Sequence, residues 1–503
     1  MDSLWRDADA ARFGGPLGPR IYTSRLLGGD PSLVLYGGGN TSAKVKEAGG
    51  EVLYVKGSGA DLAQVEAKDF TPLDLAAARR LLDGPSLTNV AMYEALRAAV
   101  LRPAAPKPSI ETLLHAALPF SHVDHTHADS VLALVNCARA DAVIEAVYGE
   151  LAPAVPYQHS GFALARACRD VYQRRGTRRT IGLILQFHGV VAFGETARAS
   201  YENLLRLVTL AEDYLKACGA WSLPRVEDTN ERVDPLAVAE LRAAVSRAAG
   251  FPLVLRVDRD PTSLAFCRRA DLADVSQQGP ATPQHAIFTR RVPLIGRDVE
   301  GFVRDYRAYL RASLPAEAAV RLDPSPRVVL DPELGVCTLG VSARHAAMAA
   351  DVYRHDIEII SRAAAHDAYR AAPPAAIAEA ELEYGGFEME CRRAAEHGKP
   401  LTGHVAAVGP AVARRDPDLA ARLLAQGCAV SVRAPAPAQL AASPDWLELD
   451  TATSPAAAVA RTVTAFGGVD HVYADVEDSD WSRAFAPLLA RSPLAPAIET
   501  VPS

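Results

Sequence analysis

The stretch PSIETLLHAALPFSHVDHTHAD (residues 108–129) decides how this chain is read. His125 and His127 stand two apart, so on a strand both imidazoles project from one face. Such a pair, joined by a third neutral nitrogen, makes the three-ligand, open-position site of a catalytic zinc ion. The third nitrogen is offered by QFHGVVAFG (186–194), where His188 ends a strand just before a glycine and can point into a cleft. Glu111 follows Pro108 and Ser109 at a helix start, where its carboxylate can approach the metal or act as a base. His115, four residues on, shares that helix face and reads as a packing or orienting partner. Asp124 and Asp129 are placed to fix imidazole tautomers as acceptors, or to face water.

Working outward, two glycine-rich turns follow strand-like runs. SLVLY (32–36) leads into YGGGNTS (36–42), and EVLYV (51–55) leads into VKGSGAD (55–61). Each presents backbone N–H groups and a hydroxyl or amide in the manner of a phosphate cradle, and Lys56 and Lys107 add positive charge. The net charge of -7 gives no basic footprint for nucleic acid or for an anionic membrane. It leaves room for a small phosphorylated ligand in one local pocket. Seven scattered cysteines, odd in number and never spaced C-x-x-C, point to reduced thiols and a cytoplasmic protein. The opening MDSLWRDADAARFGG has no apolar core of a secretory leader, and no apolar run is long enough to span a bilayer.

Length alone suggests about three domains. Residues 1–225 hold nearly all the unusual motifs, with helical stretches at 87–101 and 109–117, a closing strand at 181–193 and a long helix at 197–217 capped by Thr196. VEDTNERVDP (226–235) reads as a linker. Residues 236–395 carry an internal repeat: LILQFHGVVAFGETAR (183–198), shifted by 146 residues, lies without gaps over VLDPELGVCTLGVSAR (329–344). Gly189, Val190, Gly194, Ala197 and Arg198 meet Gly335, Val336, Gly340, Ala343 and Arg344, whereas His188 meets Leu334. The second copy therefore keeps an architecture and loses a metal ligand. Residues 396–503 alternate strand-like GHVAAVG, helix-strand DLAARLLAQGCAVSVRA, a helix at 455–466 and strand-like VDHVYADV, a βαβ pattern of the doubly wound kind that stops early.

GNTS, KGSG, PSIE, HTH and the later HG, in that order over residues 15–220, resemble the class II aldolase/adducin family. The whole layout resembles the long members fused to a short-chain dehydrogenase, typified by bifunctional rhamnulose-1-phosphate aldolases. The resemblance implies an α/β chain: a class II aldolase-like α/β/α domain, a degenerate aldolase-like copy and a truncated Rossmann-like segment. It implies that Gly39, Asn40, Ser58, Gly59 and Ser109 bind the substrate phosphate, that His125, His127 and His188 bind Zn2+ or another divalent ion, and that Glu111 is the acid/base. Phe187 departs from the pattern, since family members often have Asn before the His-Gly pair.

The activity so implied is zinc-dependent cleavage or formation of a phosphorylated ketose, rhamnulose-1-phosphate-like, with dihydroxyacetone phosphate and an aldehyde as the other side. Glu111 is expected to shuttle a proton with a pKa raised by burial. The same metal site also serves sugar-phosphate epimerases, dehydratases and decarboxylases, and the fold also serves a non-catalytic adducin-like scaffold. A homo-oligomer is implied, because the family's active sites lie between subunits. GPATPQHAIFTRR (279–291) resembles a signature of the middle segment, in which His285 either reaches the active site or makes a structural turn. In the C-terminal segment Gly403 and Gly409 survive from a dinucleotide fingerprint, Pro410 breaks it and no Y-x-x-x-K pair follows, so NAD is not expected to bind.

Overall fold

The computed structural model describes residues 1–226, 233–384, 399–434, 440, 442–450, 452–494 and 497–500. Most of the expected linker 226–235, and Cys391, lie outside them. The chain divides into two compact units, Met1–Leu223 with Glu358–Ala372, and Pro224–Ile357 with Pro373–Ser503.

The first unit is built on seven strands: β1 (Asn40–Glu47), β2 (Gly50–Lys56), β3 (Phe70–Asp74), β4 (His122–Thr126), β5 (Ala154–Val155), β6 (Gly182–Leu185) and β7 (Gly189–Gly194). Their order is β3-β2-β1-β4-β7-β6-β5. All pairs are antiparallel except β5 with β6. One face packs Leu53, Val123, Leu183 and Val191 against helices Leu75–Asp83, Thr112–Ala117 and Phe162–Arg175. Helices Gly18–Gly28 and Ala197–Ala217 cover the other face, giving three α/β/α layers. Alternation along β4 sends Val123 and His125 to the first face and Asp124 to the second. There Asp124 pairs at 2.5 Å with the fully buried Arg20 of helix Gly18–Gly28.

Two local expectations are corrected. SLVLY (32–36) is not a strand; Leu33 and Val34 fold back in turns onto the carbonyl of Asp30, and the strand begins only at Asn40. The single closing strand at 181–193 is a hairpin, β6 and β7, reversed at Gln186–His188 with Leu185 opposite Gly189. Gly189, at φ 145°, permits the reversal.

The second unit holds two sheets. The first contains β8 (Val254–Asp258), β9 (Leu294–Ile295), β10 (Val328–Asp331) and β11 (Gly335–Gly340) in the order β8-β11-β10-β9. That order and its pairing senses repeat β4-β7-β6-β5. The repeat extends to register: Leu185 faces Gly189 in one hairpin, and Asp331 faces Gly335 in the other. Where β4 sets Thr126 against Val190, β8 sets Asp258 against Val336, so Val257 and Arg259 stand at the positions of His125 and His127. The second copy thus keeps the fold and replaces all three histidines.

The other sheet, β12 (Val405–Val408), β13 (Ala429–Val432), β14 (Trp446–Glu448), β15 (His471–Ala474) and β16 (Ala497–Thr500), is wholly parallel, in the order β14-β13-β12-β15-β16 of a doubly wound half. Its residues share one core with the second copy, where Val238, Leu255 and Val329 pack with Ala407, Val472 and Phe485.

Candidate metal and substrate site

The site begins with β4, held between β1 and β7, which sets Asn40 opposite His125 on one side and Val191 opposite His125 on the other. The β6–β7 turn delivers His188. A Cβ on Gly189 would collide with the backbone of Thr126 and His127, so only glycine lets the turn come this close. The imidazole ligand atoms of His125, His127 and His188 all lie within 4.8 Å of one another, and their ring centroids are 4.8–5.1 Å apart. His125 Nδ1 donates to the carbonyl of Val190 at 3.0 Å, which fixes the tautomer and leaves the Nε2 lone pair free to ligate. That Nε2 is buried and faces Glu111 Oε1 at 3.4 Å, so a divalent ion would take the place of the proton it otherwise shares with that carboxylate. A buried, lone-pair-bearing nitrogen beside two further imidazoles fits a divalent ion.

Glu111 closes the triangle from just ahead of helix Thr112–Ala117, with Oε1 3.1 Å from His188 Nε2 and 3.4 Å from His125 Nε2. Burial pushes its carboxyl upward, but the charge and hydrogen bonds of His125 and His188 prevail and hold it well below the usual carboxylate range. This corrects the expectation of a raised pKa, because burial is outweighed wherever the carboxylate faces cationic partners. Burial likewise lowers His125, yet Glu111 beside it lifts the imidazole above its ordinary value. His188 is lowered, chiefly by burial. His115, also buried, meets Ser42 Oγ at 2.8 Å through Nδ1, and burial pushes it down to about 3. Asp124 does not orient a histidine; its partner is Arg20, on the far side of the sheet.

The glycine turns pack side by side over the histidine strand. A Cβ on Gly37 would sit 3.6 Å from the carbonyl oxygen of Gly59, and one on Gly38 would sit 3.7 Å from His127 Nδ1. Lys56 Nζ donates to the carbonyls of Gly37 (2.7 Å) and Ala60 (2.8 Å) and so ties the turns together. Burial lowers this ammonium to about 8. Lys107 lies instead at the surface, 3.8 Å over the Tyr93 ring. Ser58 and Gly59 are exposed at the rim, while Gly39, Asn40 and Ser109 are buried behind them. Asn40 Nδ2 donates to Ser109 Oγ and, at 3.2 Å, to Glu111 Oε2. Of the residues singled out in residues 1–225, His125, His127, His188, Glu111, Asn40 and Ser109 therefore lie together with the two glycine turns beside them, whereas Lys107 and Asp124 lie elsewhere.

Beside His188 lie Phe187, already singled out, and Tyr157, which no sequence pattern marks. Phe187 is at φ 55°, a left-handed conformation costly for any residue but Gly and tolerated best by Asn or Asp. That gives a physical reason for the Asn it replaces. Its ring meets Tyr157 edge to face at 6.1 Å, and Tyr157 N donates to Gln186 Oε1 at 3.3 Å. His285 belongs to the second unit, where its Nδ1 is 2.8 Å from Asp356 Oδ1, an oxygen that also accepts from Ala281 N.

Residues 20–215 match the family described as class II aldolase and adducin N-terminal domain, and residues 232–390 match the second domain of class II aldolase. The chain thus carries class II aldolase/adducin family domains over residues 20–215 and 232–390. Among curated relatives, the "uncharacterized oxidoreductase YuxG" of Bacillus subtilis (strain 168) is 29% identical over 392 residues, 72% of this chain and 56% of that protein. The chain thus spans about half the length of the curated relative it matches. Among solved structures, the N-terminal class II aldolase domain of a conserved protein from Thermoplasma acidophilum is 33% identical over 43% of this chain and 99% of its own, with a TM-score of 0.39. L-fuculose-1-phosphate aldolase from Thermus thermophilus is 19% identical over 39% of this chain and 94% of its own, with a TM-score of 0.27. Among the described residues no helix is long and apolar enough to cross a membrane.

Proposed function

We propose that this class II aldolase/adducin protein is a zinc-dependent aldolase acting on a phosphorylated ketose of the rhamnulose-1-phosphate type, with dihydroxyacetone phosphate and an aldehyde as the other side of the equilibrium. One observation carries the reading: three imidazoles converge on a point that the Glu111 carboxylate faces, beside two glycine turns. His125, His127 and His188 would hold the ion, which supplies Lewis-acid polarisation of the ketose carbonyl and steadies the charge left when the carbon–carbon bond breaks. In the bond-forming direction Glu111 takes a proton from the carbon beside the carbonyl of dihydroxyacetone phosphate, and in cleavage it returns that proton. Its low pKa keeps it ionised and ready as a base at neutral pH. Gly39, Asn40, Ser58, Gly59 and Ser109 cradle the phosphate.

In the same reading residues 1–225 form the catalytic domain, 236–395 a degenerate copy and 396–503 a dehydrogenase remnant that binds no NAD. Support for the last point is Asp478: its carboxylate accepts from Ala411 N at 3.0 Å and Val412 N at 3.4 Å, filling the turn after β12 where a doubly wound sheet receives a pyrophosphate. The protein works as a cytoplasmic homo-oligomer.

The test is metal content of the purified protein beside a His125→Ala/His127→Ala variant, followed by a screen of ketose 1-phosphates for released dihydroxyacetone phosphate. Near-stoichiometric zinc, lost in the variant, with cleavage of one ketose phosphate is the expected result. Zinc without cleavage would transfer the site to an epimerase, dehydratase or decarboxylase, and no zinc would leave a scaffold. Glu111→Gln should keep its zinc and lose about 10²–10⁴-fold in kcat.

A further inference from the structure

We propose that Phe187 is a specificity-determining residue, whose ring packs on the end of the substrate's carbon chain farthest from the phosphate and selects chains with an apolar end. This rests on the aldolase reading and deepens it, by assigning the choice of aldehyde to one side chain. The placement follows from strand order. The glycine turns sit at the start of β1 and the end of β2, and the histidines at the end of β4 and in the β6–β7 turn. Phe187 lies in that same turn, edge to face at 6.1 Å with Tyr157, which stands two residues past β5. The pairing senses bring all of these to one end of the sheet. Along β2-β1-β4-β7-β6-β5 the site therefore runs from the phosphate turns, through the three histidines, to an aromatic pair. A ketose 1-phosphate with its phosphate on the turns and its carbonyl among the histidines points its far end at Phe187 and Tyr157.

The backbone supplies an independent observation. A left-handed φ of 55° is costly for phenylalanine, and Asn or Gly would hold the same turn at less cost. Strain of this kind persists where a site uses the side chain that bears it. The hairpin does not demand it. In the second copy Glu333 stands at the position of Phe187, and that hairpin closes in the same register. Among the described non-glycine residues only Tyr36, Phe187 and Arg290 take positive φ, so Glu333 does not. In place of the aromatic pair, Glu333 pairs at 2.7 Å with Arg297, which stands two residues past β9. The rings thus accompany the histidines and are gone where the histidines are gone. Phe187 and Tyr157 are only half-buried, which leaves part of their apolar surface open to a ligand.

The experiment uses zinc-loaded full-length protein as wild type, Phe187→Asn and Phe187→Leu. The probes are two ketose 1-phosphates alike except at the far end, one closing in a methyl group and the other in a hydroxymethyl group. Each protein is measured for melting temperature and zinc content, then for Kd by calorimetry and kcat/KM with each probe. Wild type is expected to favour the methyl probe by about tenfold or more, the range that one such group commands in an apolar pocket. Phe187→Asn should keep its zinc, gain about 2–4 °C in melting temperature from the relieved backbone, and lose the preference to within about twofold. Phe187→Leu, apolar and equally strained, should gain no stability and keep most of the preference. A residue retained for packing alone would behave in the opposite way. No preference in wild type, an undiminished preference in Phe187→Asn, or a lowered melting temperature in Phe187→Asn overturns the proposal. A wild type that binds the methyl probe more tightly but cleaves neither sinks the aldolase reading and leaves the role of Phe187 standing, whereas one that binds neither probe overturns both.

Discussion

Glu111 and His125 form a pair whose protonation is linked to folding in opposite senses. His125 is raised in the folded state, so the stability it contributes is fully present below its ordinary value of 6.5 and is lost as pH rises through the raised one. Glu111 is depressed, so its share is present above its ordinary value of 4.5 and is lost as pH falls through the depressed one. A metal-free protein therefore draws on this pair most between those two ordinary values. We expect the melting-temperature advantage of metal-free wild type over metal-free Glu111→Gln to shrink and then reverse as pH is raised above about 6.5, because the buried carboxylate then faces neutral imidazoles. With zinc bound the cation takes over from the proton and the reversal should vanish. A difference between the two proteins that stays constant from mildly acidic to alkaline pH, without metal, would show that the pair is not ionic.

At the scale of elements, the two hairpins offer a matched comparison. Gly189 and Gly335 both sit at positive φ, 145° and 96°, and a Cβ at either would press into the neighbouring strand, at Thr126 or at Asp258. Gly189→Ala and Gly335→Ala should each cost about 1–3 kcal/mol as strain, seen as a lowered melting temperature. Only Gly189→Ala should weaken zinc, since only its turn carries a histidine against His127; competition with a chelating dye reads this. Equal zinc affinity in both variants would mean that the close approach does not set the metal geometry. The same elements show what the sequence could reveal. The H-x-H face was legible because strand alternation is local, and the repeat because glycines at turns are irreplaceable. Asp124 was misjudged because the decisive partner, Arg20, lies 104 residues away on another helix. The hairpin inside 181–193 was hidden because Phe187, at φ 55°, gives no sign of a left-handed turn.

At the scale of the molecule, the C-terminal parallel sheet is bound into the second copy by more than apolar packing. Arg242 on helix Pro235–Ala249 reaches both oxygens of Asp470, at 3.0 and 2.5 Å, and donates also to the carbonyls of Leu253 and Gly403. Asp470 in turn accepts from Val405 N at 2.9 Å and Ser492 Oγ at 2.6 Å. Burial raises the Asp470 carboxyl, but Arg242 overrides it and holds the pKa below its usual value. Segments with different sequence patterns therefore share a buried charge pair as well as a core, which no local pattern could disclose. Removing one partner of such a pair leaves an uncompensated buried charge and typically costs about 3–5 kcal/mol. Asp470→Ala should accordingly lower the melting temperature of the second unit and open residues of both its sheets to proteolysis together. Metal binding by the three histidines, all in the first unit, should not change. Proteolysis confined to residues beyond 399, with the second copy intact, would instead make the parallel sheet an independent domain, and a dehydrogenase remnant kept for packing would no longer explain its retention.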